Sequence, residues 1–462
     1  MRGKHTTRSN VSRTNQVVKC SPEIDNLSPF ATYLLESASY SVIEPFFPAE
    51  ANRKGVGAVT TGSIFSVYLF VQVISFPLWG KYLPKIGAKT MFLVGLSTSG
   101  IGIQLFGILI ALPNTNLFLV LSFITRIFES LGAAAHETAL YTICAHTFPE
   151  RTSFILSISE VMVGVGYAAG PAIGGILYKV GGYEFPFLIL GGAVVFAVII
   201  SVFILPKQVK VHQQCGSITE ILSIWFVWPI LVVILIDTAG FAFFQPTLSV
   251  HLEQFYLSPI QIGLFYFATA FVYATLTPLV GYFVDKTDWS RVVILLGLCF
   301  STVGYLLVGP SPMLHLPSEL WLIICGKFIL EIGWSFSLVA PFQDLLLVTE
   351  RHGFPANVQR QGVIAGIFNG VFASGEFVGT SLSGVMVDNL GFPQSCTVLF
   401  AIVFFVVIIF GLFSIFELRY LKSHLVQPTK YQAKYQLLYP TKFDGLTATK
   451  KIHVQFNPLK DS

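Results

Sequence analysis

The chain has 462 residues, of which 53% are apolar and only 11% charged, with a formal net charge of +4. A soluble globular chain averages about 25% charged residues, so this composition excludes a water-facing domain and makes lipid bilayer the expected solvent. The small net charge gives no reason to expect a nucleic-acid partner. There is no G-x-x-x-x-G-K-[ST] phosphate loop, so neither ATP nor any other cofactor is expected to drive the protein.

Residues 1–27 read as a basic, polar cytoplasmic tail without the apolar core and cleavage site of a signal peptide. The first span must then act as the targeting signal. Sequons at Asn10 and Asn26 precede it on the side read as cytoplasmic, so neither is expected to carry a glycan. A spanning helix needs about 20 mostly apolar residues. Twelve such runs follow in chain order, at 28–48, 58–80, 90–112, 117–145, 153–179, 185–205, 224–250, 259–283, 292–309, 319–345, 361–387 and 396–418. The fold class is therefore all-α and integral to the membrane. Residues 28–205 form one six-helix half and 224–418 the other, joined by a cytoplasmic linker over 206–223 and followed by a cytoplasmic tail over 419–462. In that tail Tyr435-Gln-Leu-Leu438 has the Tyr-x-x-apolar pattern that sorting adaptors read. The cysteines (Cys20, Cys144, Cys215, Cys299, Cys325 and Cys396) are scattered and fit neither a disulfide framework nor a zinc site.

Lys and Arg placement sets the orientation. Loops of one side carry Lys81, Lys85, Lys89, Arg151, Lys207, Lys210, Lys286, Arg291, Arg351 and Arg360; opposite loops carry Arg53, Lys54 and Lys179. Both termini fall on the basic side, which an even number of spans requires. By hydropathy the first span is the weakest, because it contains Glu36, Glu44 and several serines. An internal repeat supports it. Pro45, Gly62, Pro77 and Gly80 recur as Pro246, Gly263, Pro278 and Gly281, each 201 residues later. Gly166, Gly170, Gly175 and Gly182 recur as Gly375, Gly379, Gly384 and Gly391, each 209 later. Two parallel halves related by an axis along the membrane normal are the architecture of secondary transporters, with the substrate site near the midplane between them.

Ionisable residues inside the spans cost about 2.5–3.5 kcal/mol each on insertion scales, which makes them the default functional candidates. Glu160 lies two turns into the fifth span, and its repeat mate is Asn369 in the eleventh. The pair is expected to face the substrate from symmetric positions. Glu36 and Glu44 flank Tyr40, whose ring could cradle a cation, and Asp237 is central in the seventh span. Arg126 and Glu129 stand one turn apart in the fourth span, either as a local ion pair or as a charge relay. Glu331, four residues after Lys327, and Glu376 beside Gly375 are candidate proton carriers. Acids (Glu36, Glu44, Glu129, Glu160, Asp237, Glu331, Glu376) outnumber bases (Arg126, Lys327), a balance that favours a small cationic substrate, protons as coupling ions, or both.

Several motifs carry a family resemblance. The loop Gly80-Lys-Tyr-Leu-Pro-Lys85-Ile-Gly87-Ala-Lys89 resembles the G-x-x-x-D-[RK]-x-G-x-[RK] loop of the major facilitator superfamily, with Pro84 in place of the Asp. The second half keeps it, in Gly281-Tyr-Phe-Val-Asp285-Lys286. Arg126 with Gly132 resembles the family's Arg and Gly element of the fourth span. Gly164-Val-Gly166-Tyr-Ala-Ala-Gly170-Pro171-Ala-Ile-Gly174-Gly175 is similar to the G-x-x-x-G-P-x-x-G-G signature of the drug:proton antiporter branch, and reads equally as small-residue helix packing. The stretches 40–48, 86–92, 181–187, 246–249 and 309–315 resemble the vesicular amine transporter family, its polyamine-carrying branch most closely, over residues 40 to 417. The resemblance implies the major facilitator fold, a monomer, and proton-coupled antiport of organic cations into acidic vesicles. A plasma-membrane drug exporter and a non-transporting membrane scaffold with the same fold stay open as alternatives.

Overall fold

The computed structural model describes residues 28–205, 217–257, 259–287, 289–315, 317–354 and 357–424. The expectations for the amino-terminal tail and its sequons, for Cys20, Cys215, Lys207 and Lys210, and for the Tyr435 sorting pattern concern residues outside this range. Regular structure among the described residues is entirely helical.

The first span is divided into two helices. It comprises α1 (Ser28–Ser41) and α2 (Ile43–Arg53). Pro45 has no N–H to offer the Ser41 carbonyl, which opens one turn of the ladder. Val42 between them keeps helical dihedrals (φ −61, ψ −23), and its N–H still bonds the Ala38 carbonyl at 3.2 Å. The next five spans are α3 (Ala58–Ile86), α4 (Ala88–Ile108), α5 (Thr115–Thr147), α6 (Thr152–Gly181) and α7 (Glu184–Ile204). Within the expected linker, α8 (Ile218–Leu222) opens on a capping box in which the Ser217 and Glu220 side chains satisfy each other's backbone N–H groups. The second half contains α9 (Trp228–Leu252), α10 (Pro259–Lys286) and α11 (Ser290–Val308), then α12 (Leu320–Ser337) with α13 (Ala340–Arg351), and finally α14 (Val358–Leu390) and α15 (Phe392–His424). Pro341 interrupts the tenth span between α12 and α13 for the same reason that Pro45 interrupts the first. Several helices outrun their apolar stretch, α3 to Ile86 and α15 to His424, because hydropathy marks only the part in lipid while the backbone ladder continues beyond it.

Eleven of these spans are long and apolar enough to cross a membrane. The remaining one, α1–α2, is more polar and is held by protein contacts. It lies against α6, as α9 lies against α14, while α4 pairs with α5 and α11 with α12. The two halves thus repeat the same internal packing.

Between the halves, α3 meets α14 and α6 meets α10. Both crossings are set by repeat-related glycines. A Cβ added to Gly80 would lie 2.7 Å from the Gly362 carbonyl oxygen of α14, and one added to Gly281 would lie 2.7 Å from the Ser153 carbonyl oxygen of α6. At the far ends of the same helices, Gly62 and Gly263 have nothing within 4 Å of such an atom. The halves therefore close against each other on the face where the chain enters and leaves the bundle, here called the tail face.

Candidate functional site

The site is positioned by a seam of small residues. Gly166, Gly170 and Gly174 of α6 take the backbone and side chains of the first span at distances that no Cβ would tolerate: Leu34, Ser37, Ala38 and Ser41 of α1, and Val42 just after it. Gly375 and Gly379 of α14 accept Leu235, Thr238 and Ala239 of α9 in the same way. Pro171 sits inside α6 without ending it, and Gly175 has open space beside it. The glycine signature of the fifth span thus works as a packing seam that fixes the rotation of α6.

That rotation places Glu160 at the junction of the halves. The Tyr141 hydroxyl of α5 donates to its Oε1 at 2.5 Å. A small cavity is lined there by Tyr141, Ser157, Glu160, Tyr273, Phe342 and Phe368, which come from α5, α6, α10, α13 and α14. Glu160 lies within electrostatic reach of Glu137 on α5 and Glu376 on α14. Glu137 accepts a hydrogen bond from the Tyr33 hydroxyl of α1 and is itself within reach of Glu36. Four carboxylates on four helices, three from the first half and one from the second, so form one cluster rimmed by tyrosines.

The expected symmetric partner of Glu160 is not among the residues that line this cavity. Asn369 is buried at 2% exposure, its Nδ2 has no hydrogen-bond partner, and it does not line the cavity. The crossing with α3 seals this part of α14: Gly366 touches Phe76 and Gly80, and Gly370 touches Pro77. Glu376, two turns further along α14, is the acid that comes within reach of Glu160.

Arg126 and Glu129 form an ion pair at 2.8 Å with both side chains essentially inaccessible, 0% and 1% exposed. The guanidinium lies over the rings of Tyr68 at 4.5 Å and Tyr40 at 5.1 Å. The cation that Tyr40 faces is therefore the protein's own Arg126, and its ring also packs on Tyr68 and Tyr167. Glu36 is paired across helices with His136 of α5. In the second half Asp237 accepts from the Ser337 hydroxyl. Glu331 pairs with Lys327 at 2.5 Å, and the Lys327 ammonium lies 4.4 Å from the centre of the Trp334 ring. Tyr273 lies within electrostatic reach of Glu160, Glu331 and Asp237.

On the tail face, Asp285 of α10 accepts the backbone N–H groups of Ser153 at 2.9 Å and Phe154 at 2.7 Å. A carboxylate at the first turn of α6 is favoured by unsatisfied donors and by the helix dipole. The repeat-related crossing has Pro84 instead and closes differently, by the Gly80–Gly362 contact and by Gln361 Nε2 donating to the Ala145 carbonyl at 3.0 Å. Arg291, read from sequence only as an orientation marker, contacts the buried Asp344 at 3.2 Å and also pairs with Glu417.

Sequence reasoning missed His136 and Glu137. They stand together in Ala133-Ala-Ala-His136-Glu137-Thr, where flanking alanines keep the span apolar on average. Taking every ionisable residue in the span, and not only those near a motif, would have found them.

The profile of the Major Facilitator Superfamily matches residues 30–354. The MFS-type transporter SLC18B1 of Mus musculus is 34% identical over 357 residues, covering 77% of this chain and 78% of that one. Its Homo sapiens counterpart is 33% identical over 361 residues, covering 78% and 79%. The synaptic vesicular amine transporter of Mus musculus is 25% identical over 382 residues, covering 80% and 69%. Among solved structures, a bacterial homologue of the iron transporter ferroportin in an outward-facing state superposes with a TM-score of 0.68 at 14% identity, covering 84% of this chain and 99% of that one. That likeness shows the fold. The chain therefore belongs to the Major Facilitator Superfamily, as a multi-pass membrane transporter and not an enzyme.

Proposed function

We propose that the protein is a proton-coupled antiporter of small organic cations, amines or polyamines, acting by alternating access in a vesicle membrane with both termini in the cytoplasm. One observation carries the reading: Glu36, Glu137, Glu160 and Glu376 form one electrostatic cluster that runs from α1 to α14, and among the described residues none of the four is ion-paired with a lysine or arginine. A group of carboxylates in a medium of low dielectric needs positive charge beside it. Protons and substrate ammonium groups meet the same need, so each can displace the other. The tyrosines around the cluster suit a cation on their faces and a hydrogen-bonded ammonium at their hydroxyls. The names of the relatives, a synaptic vesicular amine transporter among them, support an amine and a vesicle.

In this reading the closed tail face is one end of the cycle. Opening it separates Gly80 from α14 and Gly281 from α6, and withdraws Asp285 from the first turn of α6. The direct test is uptake of labelled spermidine and of labelled monoamines into proteoliposomes with an imposed pH gradient. Gradient-dependent uptake is expected, and Glu160→Gln should lower it about ten-fold or more, the effect of about 1.4 kcal/mol of lost interaction. Amine-stabilised melting without any uptake would instead identify a binding scaffold and end the proposal.

A further inference from the structure

His136 is a fully buried imidazole at the contact between α5 and α1. Its Nδ1 lies within ion-pair distance of the Glu36 carboxylate of α1 but outside hydrogen-bond geometry, and its Nε2 lies 3.3 Å from the Thr32 hydroxyl, one turn earlier on α1. The Phe92 ring of α4 packs edge-on at 4.5 Å between centroids, and the Tyr33 ring of α1 at 6.1 Å. The next residue on α5, Glu137, holds the Tyr33 hydroxyl. Two consecutive residues of α5 thus grip Thr32, Tyr33 and Glu36, while the glycine seam of α6 grips the other side of α1. The second carboxylate oxygen of Glu36, Oε1, is buried without a hydrogen-bond partner.

The charged and titratable groups around His136 come from each neighbouring element. From α1 they are Glu36 and Tyr33. From α5 they are Glu137 and, through Glu36, Glu129 with its partner Arg126. Glu160 of α6 and Glu376 of α14 reach it through Glu137. The element α4 presents the Phe92 ring and Gly95, whose added Cβ would lie 2.5 Å from the His136 backbone nitrogen.

We propose that His136 is the proton-coupling residue of the first half, and that a proton on its imidazole and the ammonium group of the substrate compete for one carboxylate, Glu36. This rests on the amine-antiport reading above. Histidine changes charge between about pH 5 and 8. When protonated, the imidazolium holds Glu36 to α5 and takes its charge. When neutral, it leaves the carboxylate, with its unpartnered Oε1, to the substrate. Proton binding on an acidic side therefore releases the amine there. Proton loss on a neutral side restores the site.

The test is amine affinity of the purified full-length transporter, measured with labelled spermidine at about pH 5.5 and about pH 7.5. His136→Asn keeps a hydrogen-bond donor at the Nδ1 position and cannot take up the proton. In the wild type, affinity should rise with pH. In H136N, affinity at the lower pH should be about ten-fold tighter than in the wild type, because the competing proton site on α5 has been removed. A misfolded variant cannot gain affinity, so this outcome separates coupling from a purely structural role. Glu36→Gln is the second arm: the pH slope should flatten with weak binding at both values. Wild-type slopes in both variants would overturn the role of His136 while leaving the antiport reading intact. A wild-type protein that takes up no amine under any gradient would instead remove the reading on which it rests.

Discussion

Inside the bundle, charged side chains are held in two ways. Arg126 with Glu129, and Lys327 with Glu331, are local pairs one turn apart on a single helix. Removing one partner of a buried pair strands the other, whereas removing both and filling the space costs far less. Arg126→Ala should therefore lower stability by about 3–5 kcal/mol, and the double variant R126M/E129M should recover most of that loss. Thermal melting of the detergent-solubilised protein checks it, and an equally unstable double variant would show that the pair matters through its partners Tyr40 and Tyr68. Glu36, Glu137, Glu160 and Glu376 are held differently. Their neighbours lie on other helices, so their environment changes when the helices move. Residues of the second kind are suited to coupling, and those of the first kind to holding a helix in register.

At the scale of elements, the tail face is closed by two unlike devices at repeat-related places. On one side Asp285 accepts two N–H groups at the start of α6; on the other Pro84 offers no carboxylate and glycine packing closes the gap. A charge at a helix N-terminus contributes about 0.3–2 kcal/mol. Asp285→Asn should therefore shift the population toward an open tail face by about two- to thirty-fold, the range that this energy implies. A cysteine placed at Ser153, which is buried in the closed form at 2% exposure, should react faster with a membrane-impermeant maleimide in the D285N background. Unchanged reactivity would mean that the glycine crossings alone hold the face shut.

For the whole molecule, each half repeats the same internal contacts, and the halves meet chiefly through α3 with α14 and α6 with α10. These crossings depend on close glycine contacts and need no continuous chain between α7 and α9. Residues 1–205 and 206–462, expressed as separate chains in one membrane, should therefore co-purify through a tag on either. Failure to co-purify, with both pieces present in the membrane, would show that the link between the halves is required for assembly.

The twelve-span count, the duplication and the excess of intramembrane acid were legible in the sequence because each rests on local or periodic information. Apolar run length sets a span, a fixed offset of glycines and prolines betrays a repeat, and a charge in an apolar run is visible on its own. The Arg126–Glu129 and Lys327–Glu331 pairs were legible for the same reason, since helical spacing places their members one turn apart. What only the tertiary structure decided is which charges from different helices meet. Helix rotation is set by the seams at Gly166, Gly170, Gly375 and Gly379, and no residue spacing encodes it. Rotation and crossing together put Glu376 within reach of Glu160, left Asn369 out of the cavity lining, turned Tyr40 toward Arg126, and brought His136 of α5 to Glu36 of α1.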